Sequence, residues 1–215
     1  SFEIRHVPLL ERIAATGKPV IVSTGIASLA DIELALDVLG RGRDDITLLK
    51  CTSAYPAPVN EIDLLTIPTL RATFGLDVGL SDHTMGHVVP VAAVALGATL
   101  IEKHFVLDRA AGGIDASFSM EPHEFKELVQ AVRVAEVALG SSVYQLGPAS
   151  QAASLRGRSI FVAQRVARGE AFTSDNLRVV RPGDGLHPRH YSSLLGRSAR
   201  VDLEPGMPLR WDLID

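Results

Sequence analysis

Residues 19–140 repeat one pattern four times, a short apolar strand followed by a helix, and this alternation constrains the fold more than any other feature. The first strand, PVIVST (19–24), is a β-branched apolar run of the kind a buried parallel strand needs. Ser28 then serves as an N-cap for LADIELALDVLG (29–40), where Ile32, Leu34, Ala35, Val38 and Leu39 recur at near-helical spacing. DITLLKCTSAY (45–55) is the next strand, and IDLLTIPTLRATFG (62–75) the next helix, interrupted by Pro68. DVGLSDH (77–83) is followed by VVPVAAVALGA (88–98), and ATLIEKHF (98–105) by PHEFKELVQAVRVAEVALG (122–140), with Pro122 and Gly140 marking its ends. Ser1-Phe2-Glu3-Ile4 reads as the end of a preceding strand. Such repetition gives an α/β fold on a parallel sheet.

All four strands finish in polar sets: Ser23-Thr24, Thr52-Ser53-Tyr55, Ser81-Asp82-His83 and Lys103-His104. A (β/α)8 barrel carries its chemistry at the C-terminal strand ends. A doubly wound open sheet is the rival, but no G-x-G-x-x-G is present to support nucleotide binding in that manner. Residues 1–140 therefore read as barrel and 141–154 (SSVYQLGPASQAAS) as linker. Residues 155–215 form a second, mostly β domain built on a half-repeat. There VARGEAFTSDNL (166–177) aligns with LEPGMPLRWDLI (203–214), matching Gly169 with Gly206, Phe172 with Leu209 and Leu177 with Ile214.

Charge narrows the partners. The net charge is −4 with both signs interspersed, so nucleic acid is not the expected partner. No apolar run reaches the roughly 18 residues that span a bilayer. A single cysteine, Cys51, excludes an internal disulfide and fits a reducing cytoplasm. Ser1-Phe2-Glu3-Ile4-Arg5 does not read as a signal peptide, and without an initiator Met the chain reads as a piece of something longer.

Of the seven histidines, His83 and His104 stand out because each ends a strand and the two strands are consecutive. Neighbouring parallel strands lie about 4.8 Å apart, so both imidazoles can reach one divalent cation at roughly 2.1 Å. Two protein ligands leave positions open for water and substrate. The alternative is a pair of histidines bound to phosphate or loop backbone. Asp115, after Gly112-Gly113, is a third ligand, a base, or a residue capping its own turn. The hydroxyls of Ser23, Thr24, Ser53, Tyr55 and Ser81 together suggest a mouth for an anion or a sugar. Lys50 and Lys103 lie within strands, with Glu102 available to neutralise one; a buried Lys50 is a Schiff-base candidate. Cys51 reads as core packing, since no His or Arg adjoins it in sequence. Arg181, before the turn Pro182-Gly183-Asp184-Gly185, is either a surface residue or an anion-binding arginine offered to another domain or subunit.

STGIAS (23–28), LLKCTSAYPAP (48–58), GLSDHTMGH (79–87), IEKHF (101–105), GGIDASFSMEP (112–122), RGRSIFV (156–162) and RPGDGLHP (181–188) together resemble the sialic acid synthase family in order and spacing. The likeness is greatest to the pseudaminic acid synthases and extends over the whole chain. It implies the C-terminal portion of a (β/α)8 TIM barrel followed by a small SAF (antifreeze-like, β-clip) domain, the first half of the barrel being absent. It implies metal-dependent condensation of phosphoenolpyruvate with an open-chain acetamido sugar, giving phosphate and a nine-carbon ulosonic acid: pseudaminic acid first, with N-acetylneuraminic or legionaminic acid as the alternatives. His83 and His104 would hold Mn²⁺, Mg²⁺ or Co²⁺. Asp115 and Glu3 would be the catalytic carboxylates, Asp115 at the sugar's reacting carbonyl end and Glu3 at the mouth. Ser1, Ser23, Ser53, Tyr55 and Ser81 would line the substrate sites, and Arg181 would cross a domain-swapped homodimer to the sugar.

Three other readings stand beside this one. A class I aldolase on Lys50 needs no metal. A truncated assembly protein would keep only the pairing role of its second domain. Synthases of eight- or seven-carbon ulosonic acids share the chemistry but not the expected second domain.

Overall fold

The computed structural model describes residues 1–215, which divide into two compact units, Ser1–Ser141 and Ser142–Asp215. The first opens with a 3-10 turn, Phe2–Arg5, and helix α1, Val7–Ala14. This corrects the reading of residues 1–4 as a strand end. Apolar Phe2 and Ile4 flank Glu3 and mimic a two-residue period, but the backbone closes locally, with His6 N–H donating to the Glu3 carbonyl at 2.9 Å. Pro8 in the first turn of α1 costs no helical hydrogen bond, and Leu10 is buried against the core.

Four strand–helix units follow: β1 (Val20–Ser23), α2 (Leu29–Gly40), β2 (Ile46–Cys51), α3 (Thr66–Phe74), β3 (Asp77–Asp82), α4 (Val88–Ala95), β4 (Ile101–Lys103) and α5 (Pro122–Leu139). Helix α2 begins in a capping box: Ser28 Oγ accepts from the Asp31 N–H while Asp31 accepts from the Ser28 N–H. Pro68 does not interrupt a helix. The helix starts at Thr66, so Pro68 falls in its first turn, where its missing N–H goes unused. The strands form one parallel sheet in the order β1-β2-β3-β4, the sheet of a half-barrel. Strands β1 and β4 are its two edges.

Alternation along the strands sorts the residues onto two faces. Val20 and Val22 share one face with Ile46, Leu48, Val78 and Leu80, and helices cover it to make the core. Leu48 and Val78 are fully buried there, each stabilising the fold by about 1.5–3 kcal/mol. Register puts Ser23, Leu49, Cys51, Ser81 and Glu102 on the opposite face, the inside of the half-barrel, where Ile21 is 54% exposed.

The second unit begins with a short helix, α6 (Pro148–Ser154), within the stretch read as linker. Strands β5 (Ser159–Val162) and β6 (Leu177–Val180) pair antiparallel, and α7 (Tyr191–Leu194) precedes the second half of the repeat. The repeat is a structural pseudo-dyad. Val166 and Leu203, aligned in sequence, exchange both backbone hydrogen bonds, at 3.0 and 2.8 Å. Gly169 N–H reaches Ala199 O as Gly206 N–H reaches Val162 O, and Phe172 N–H reaches Arg197 O as Leu209 N–H reaches Ile160 O. Both glycines hold positive φ, +83° and +89°, which explains why the two halves share a glycine there. Phe172, Leu177, Leu209 and Ile214 meet in one core.

Candidate metal centre and active site

Strand register delivers the histidine pair. Asp82 on β3 lies beside Lys103 on β4, so the next residues, His83 and His104, leave the sheet side by side. Their ring centroids are 5.1 Å apart. With its proton on Nδ1, His83 donates to the Thr52 carbonyl at 3.0 Å. His104 turns Nδ1 toward Asp115 Oδ2, 3.6 Å away. The Gly112-Gly113 turn, at φ +79° and +133°, brings Asp115 back over that ring. Both imidazoles therefore keep Nε2 free, the arrangement of metal-bound histidines whose other nitrogen is oriented by a carbonyl or carboxylate. Two imidazoles sharing an ion at roughly 2.1 Å place their centroids about 4.5–5.3 Å apart for near-octahedral or tetrahedral angles. The observed separation fits. No set of three His, Cys, Asp or Glu residues is grouped to hold a metal, so an ion here would complete its shell with oxygens of water or substrate.

A cavity of about 240 Å³ opens at the pair, lined by Ser81, His83, Glu102, Lys103 and His104. Ser81 donates its hydroxyl to Glu102 Oε1 at 2.7 Å. Sequence reasoning missed Glu102 as a site residue. Its signal was there: in IEKHF, period two puts Glu102 and His104 on one face and Lys103 on the other. The same rule corrects the pairing of Glu102 with a strand lysine. Lys103 binds Asp82 instead, 2.9 Å away. Lys50 stands opposite Leu80, on the face away from Cys51 and Ser81, so a Schiff-base role inside the barrel has no support.

Next to His83 lies a cluster of hydroxyls around a thiol. Ser1 Oγ is 2.8 Å from Ser23 Oγ and donates to Cys51 Sγ at 3.2 Å. Cys51 Sγ also lies 3.6 Å from Ser53 Oγ and 4.0 Å from His83 Nδ1. Burial pushes the thiol up, but its bonds to His83, Ser1, Ser23 and Ser53 outweigh this and draw it down to about 6. Cys51 is thus buried but not mere packing, a correction invisible in sequence because its partners come from three other segments. Burial pulls His83 down, yet contacts with Cys51 and the Thr52 carbonyl leave it raised. Thr24 is a structural hydroxyl, bonded to Leu49 O at 2.9 Å.

Tyr55 lies against His83 with centroids 4.3 Å apart, and Phe118 packs on His104 at 5.1 Å. Glu3 is exposed, 3.6 Å from His6 Nδ1, and lines a separate cavity with Ser1 and Ser23 at the β1 edge. Arg181 is exposed after β6 in the second unit. The first unit thus joins Ser1, Ser23, Ser53, Tyr55, Ser81, His83, His104 and Asp115 by contacts, and leaves Glu3 outside the histidine cavity.

The sequence matches the NeuB family over residues 1–144 and the SAF domain over residues 157–215. Pseudaminic acid synthase of Helicobacter pylori is 40% identical, covering 100% of this chain and 64% of its own length. N,N'-diacetyllegionaminic acid synthase of Campylobacter jejuni is 42% identical over 93% of this chain and 61% of its own length. A Chromobacterium violaceum structure, described as a putative spore coat polysaccharide biosynthesis protein E, superposes at TM-score 0.70 with 31% identity, covering 100% of this chain and 66% of that one. The chain thus spans less than two thirds of these relatives.

Proposed function

The chain belongs to the NeuB family and carries an SAF domain, and we propose that it supplies the cation-binding part of a synthase that condenses phosphoenolpyruvate with an open-chain acetamido sugar. The observation that carries this is the His83–His104 pair, 5.1 Å apart, with both Nδ1 atoms facing other partners. A divalent ion held by the two histidines, Mn²⁺, Mg²⁺ or Co²⁺, would polarise the sugar's aldehyde oxygen.

The chain's own groups do the rest. The hydroxyls of Ser1, Ser23 and Ser53 converge on the Cys51 thiol, and turned away from it they offer neutral donors to the carboxylate and phosphate of phosphoenolpyruvate. Ser81 and Glu102 line the same cavity as the histidines and hold the sugar's oxygens. Asp115 keeps His104 oriented and sits at the reacting carbonyl end. Tyr55 and Phe118 wall the imidazoles and exclude water from their faces. Glu3 serves the mouth, and Arg181, exchanged in a domain-swapped homodimer, binds the sugar's polar groups. Holding both substrates together lets the enol carbon join the aldehyde carbon. Water then adds at the carbon that bears the phosphate ester, a proton passes to the new alkoxide of the sugar, and phosphate leaves as the ketone forms. The cytoplasm, where phosphoenolpyruvate is made, is the assigned compartment.

Pseudaminic acid is the assigned product, on the likeness of LLKCTSAYPAP, IEKHF and RPGDGLHP to the synthases of that name. Legionaminic acid is the second reading, on the 42% identity of the relative named for it. The test is phosphate release from phosphoenolpyruvate with Mn²⁺ and a panel of acetamido sugars, with and without EDTA. Metal-dependent release with the pseudaminic precursor alone is the expected result. Release insensitive to EDTA, or silence from these residues carried in a chain of the relatives' full length, overturns the proposal.

A further inference from the structure

The strand ends that carry the histidines are tied together, on the opposite face of the sheet, by an ion pair that the reaction does not use. Lys103 Nζ lies 2.9 Å from Asp82 Oδ2, with the side chains 1% and 0% exposed. Asp82 Oδ1 accepts from the Thr84 N–H at 3.0 Å and from the Thr84 hydroxyl at 2.9 Å. Lys103 donates as well to the Thr84 carbonyl and reaches the Gly86 carbonyl at 3.5 Å. All three ammonium donors are thus engaged. A buried ion pair adds little stability, because desolvation offsets its attraction, and apolar residues of similar volume often serve as well. Its place in the fold suggests another role. It occupies the register step directly before His83 and His104, and it grips the turn directly after His83. Within that span the His83 carbonyl accepts from Ala57 N–H at 3.0 Å and its ring donates to Thr52 O.

We propose that Asp82 and Lys103 are positioning residues: by tying β3 to β4 and fixing the Thr84–Gly86 turn, they set the spacing of the two imidazoles and hold His83 on the Thr52 carbonyl. The inference rests on the metal reading of the pair. Lys103 borders the histidine cavity, but its ammonium is held by Asp82 and the turn carbonyls, so neither side chain needs to touch substrate.

The test is the double variant Asp82→Asn/Lys103→Met in the whole chain, which leaves no buried charge unpaired. Two readouts are taken: histidine tautomers by long-range ¹H–¹⁵N correlation without metal, and Mn²⁺ affinity by titration. Leu48→Ala, a core cavity on the neighbouring strand, is the control for lost stability alone. The double variant should fold, shift His83 from the Nδ1–H toward the Nε2–H tautomer, and bind Mn²⁺ about 10–100-fold more weakly. Leu48→Ala should melt earlier with both readouts unchanged. If the double variant does not fold, Thr84→Val, which removes only the hydroxyl held by Asp82, is read in the same way with a smaller shift. A folded variant with the wild-type tautomer and affinity overturns the proposal. Wild-type protein that binds no Mn²⁺ overturns the metal reading instead, and the tautomer comparison still decides the positioning role.

Discussion

One added methyl group at Gly25 tests the hydroxyl cluster. The backbone there is outside the left-handed region, so alanine brings no backbone strain. Its Cβ would fall 2.8 Å from Ser1 Oγ and 3.0 Å from Cys51 Sγ, and would overlap Ser53 Oγ. Comfortable contacts lie near 3.5–4.0 Å, so these atoms must give way by roughly half an ångström or more. Overpacking of this kind costs about 1–3 kcal/mol. The serine hydroxyls are rotatable ends, which favours the low end, about 1 kcal/mol, or a Tm lower by about 2–4 °C. Anion binding should suffer more. A hydrogen bond to a charged group is worth about 1.5–3 kcal/mol, and turning Ser53 away removes one, so Kd for phosphoenolpyruvate should rise about 10–100-fold. The assay is calorimetric titration of phosphoenolpyruvate into wild type and Gly25→Ala, with melting curves alongside. A variant that melts within a few degrees of wild type and binds phosphoenolpyruvate as tightly refutes the assignment of Ser1, Ser23 and Ser53 to the anion site.

Cys51 should titrate near 6, seen as thiolate absorbance present in wild type and missing from Cys51→Ser; a midpoint at the ordinary thiol value would contradict the contacts described. Because the folded value lies below the unfolded one, the thiol's contribution to stability is present above its unfolded value and is lost as pH falls through about 6. Comparison of urea unfolding for wild type and Cys51→Ala across that range checks the sign. Asp115→Asn should weaken Mn²⁺ binding about tenfold by loosening His104, without moving the melting curve; unchanged affinity would leave Asp115 no part in orienting the ring. Phe172→Ala, at a side chain 1% exposed, should destabilise the second unit by about 3–5 kcal/mol and leave Mn²⁺ binding intact, since each unit has its own core. Loss of Mn²⁺ binding in that variant would refute the independence of the two cores.

The strand–helix order was legible because apolar period and chain punctuation agree at each element. The histidine pair was legible too, since two consecutive strands that both end in His must bring them close. Elements failed where local bonding overrode pattern. Phe2 and Ile4 alternate like a strand but sit in a 3-10 turn, and β4 is three residues long where eight were expected, because pairing to β3 stops at Lys103. Side-chain direction was the other gap. Sequence offers Glu102 as a partner for Lys50 or Lys103, whereas period two aims it at Ser81 and the site, and the partner of Lys103 is Asp82. Cys51 shows the limit of sequence proximity: Ser1, Ser23 and His83 are distant along the chain, and only the strand order brings them to the thiol.

The central claim is that His83 and His104 share one divalent ion. The most direct measurement is pulsed electron paramagnetic resonance of Mn²⁺ bound to the chain, with natural and ¹⁵N-labelled histidine. One ion per chain coupled to two imidazole nitrogens, reduced to one coupling in His83→Ala and in His104→Ala, is the expected result. Mn²⁺ that shows no histidine nitrogen, or whose couplings survive both substitutions, would contradict it.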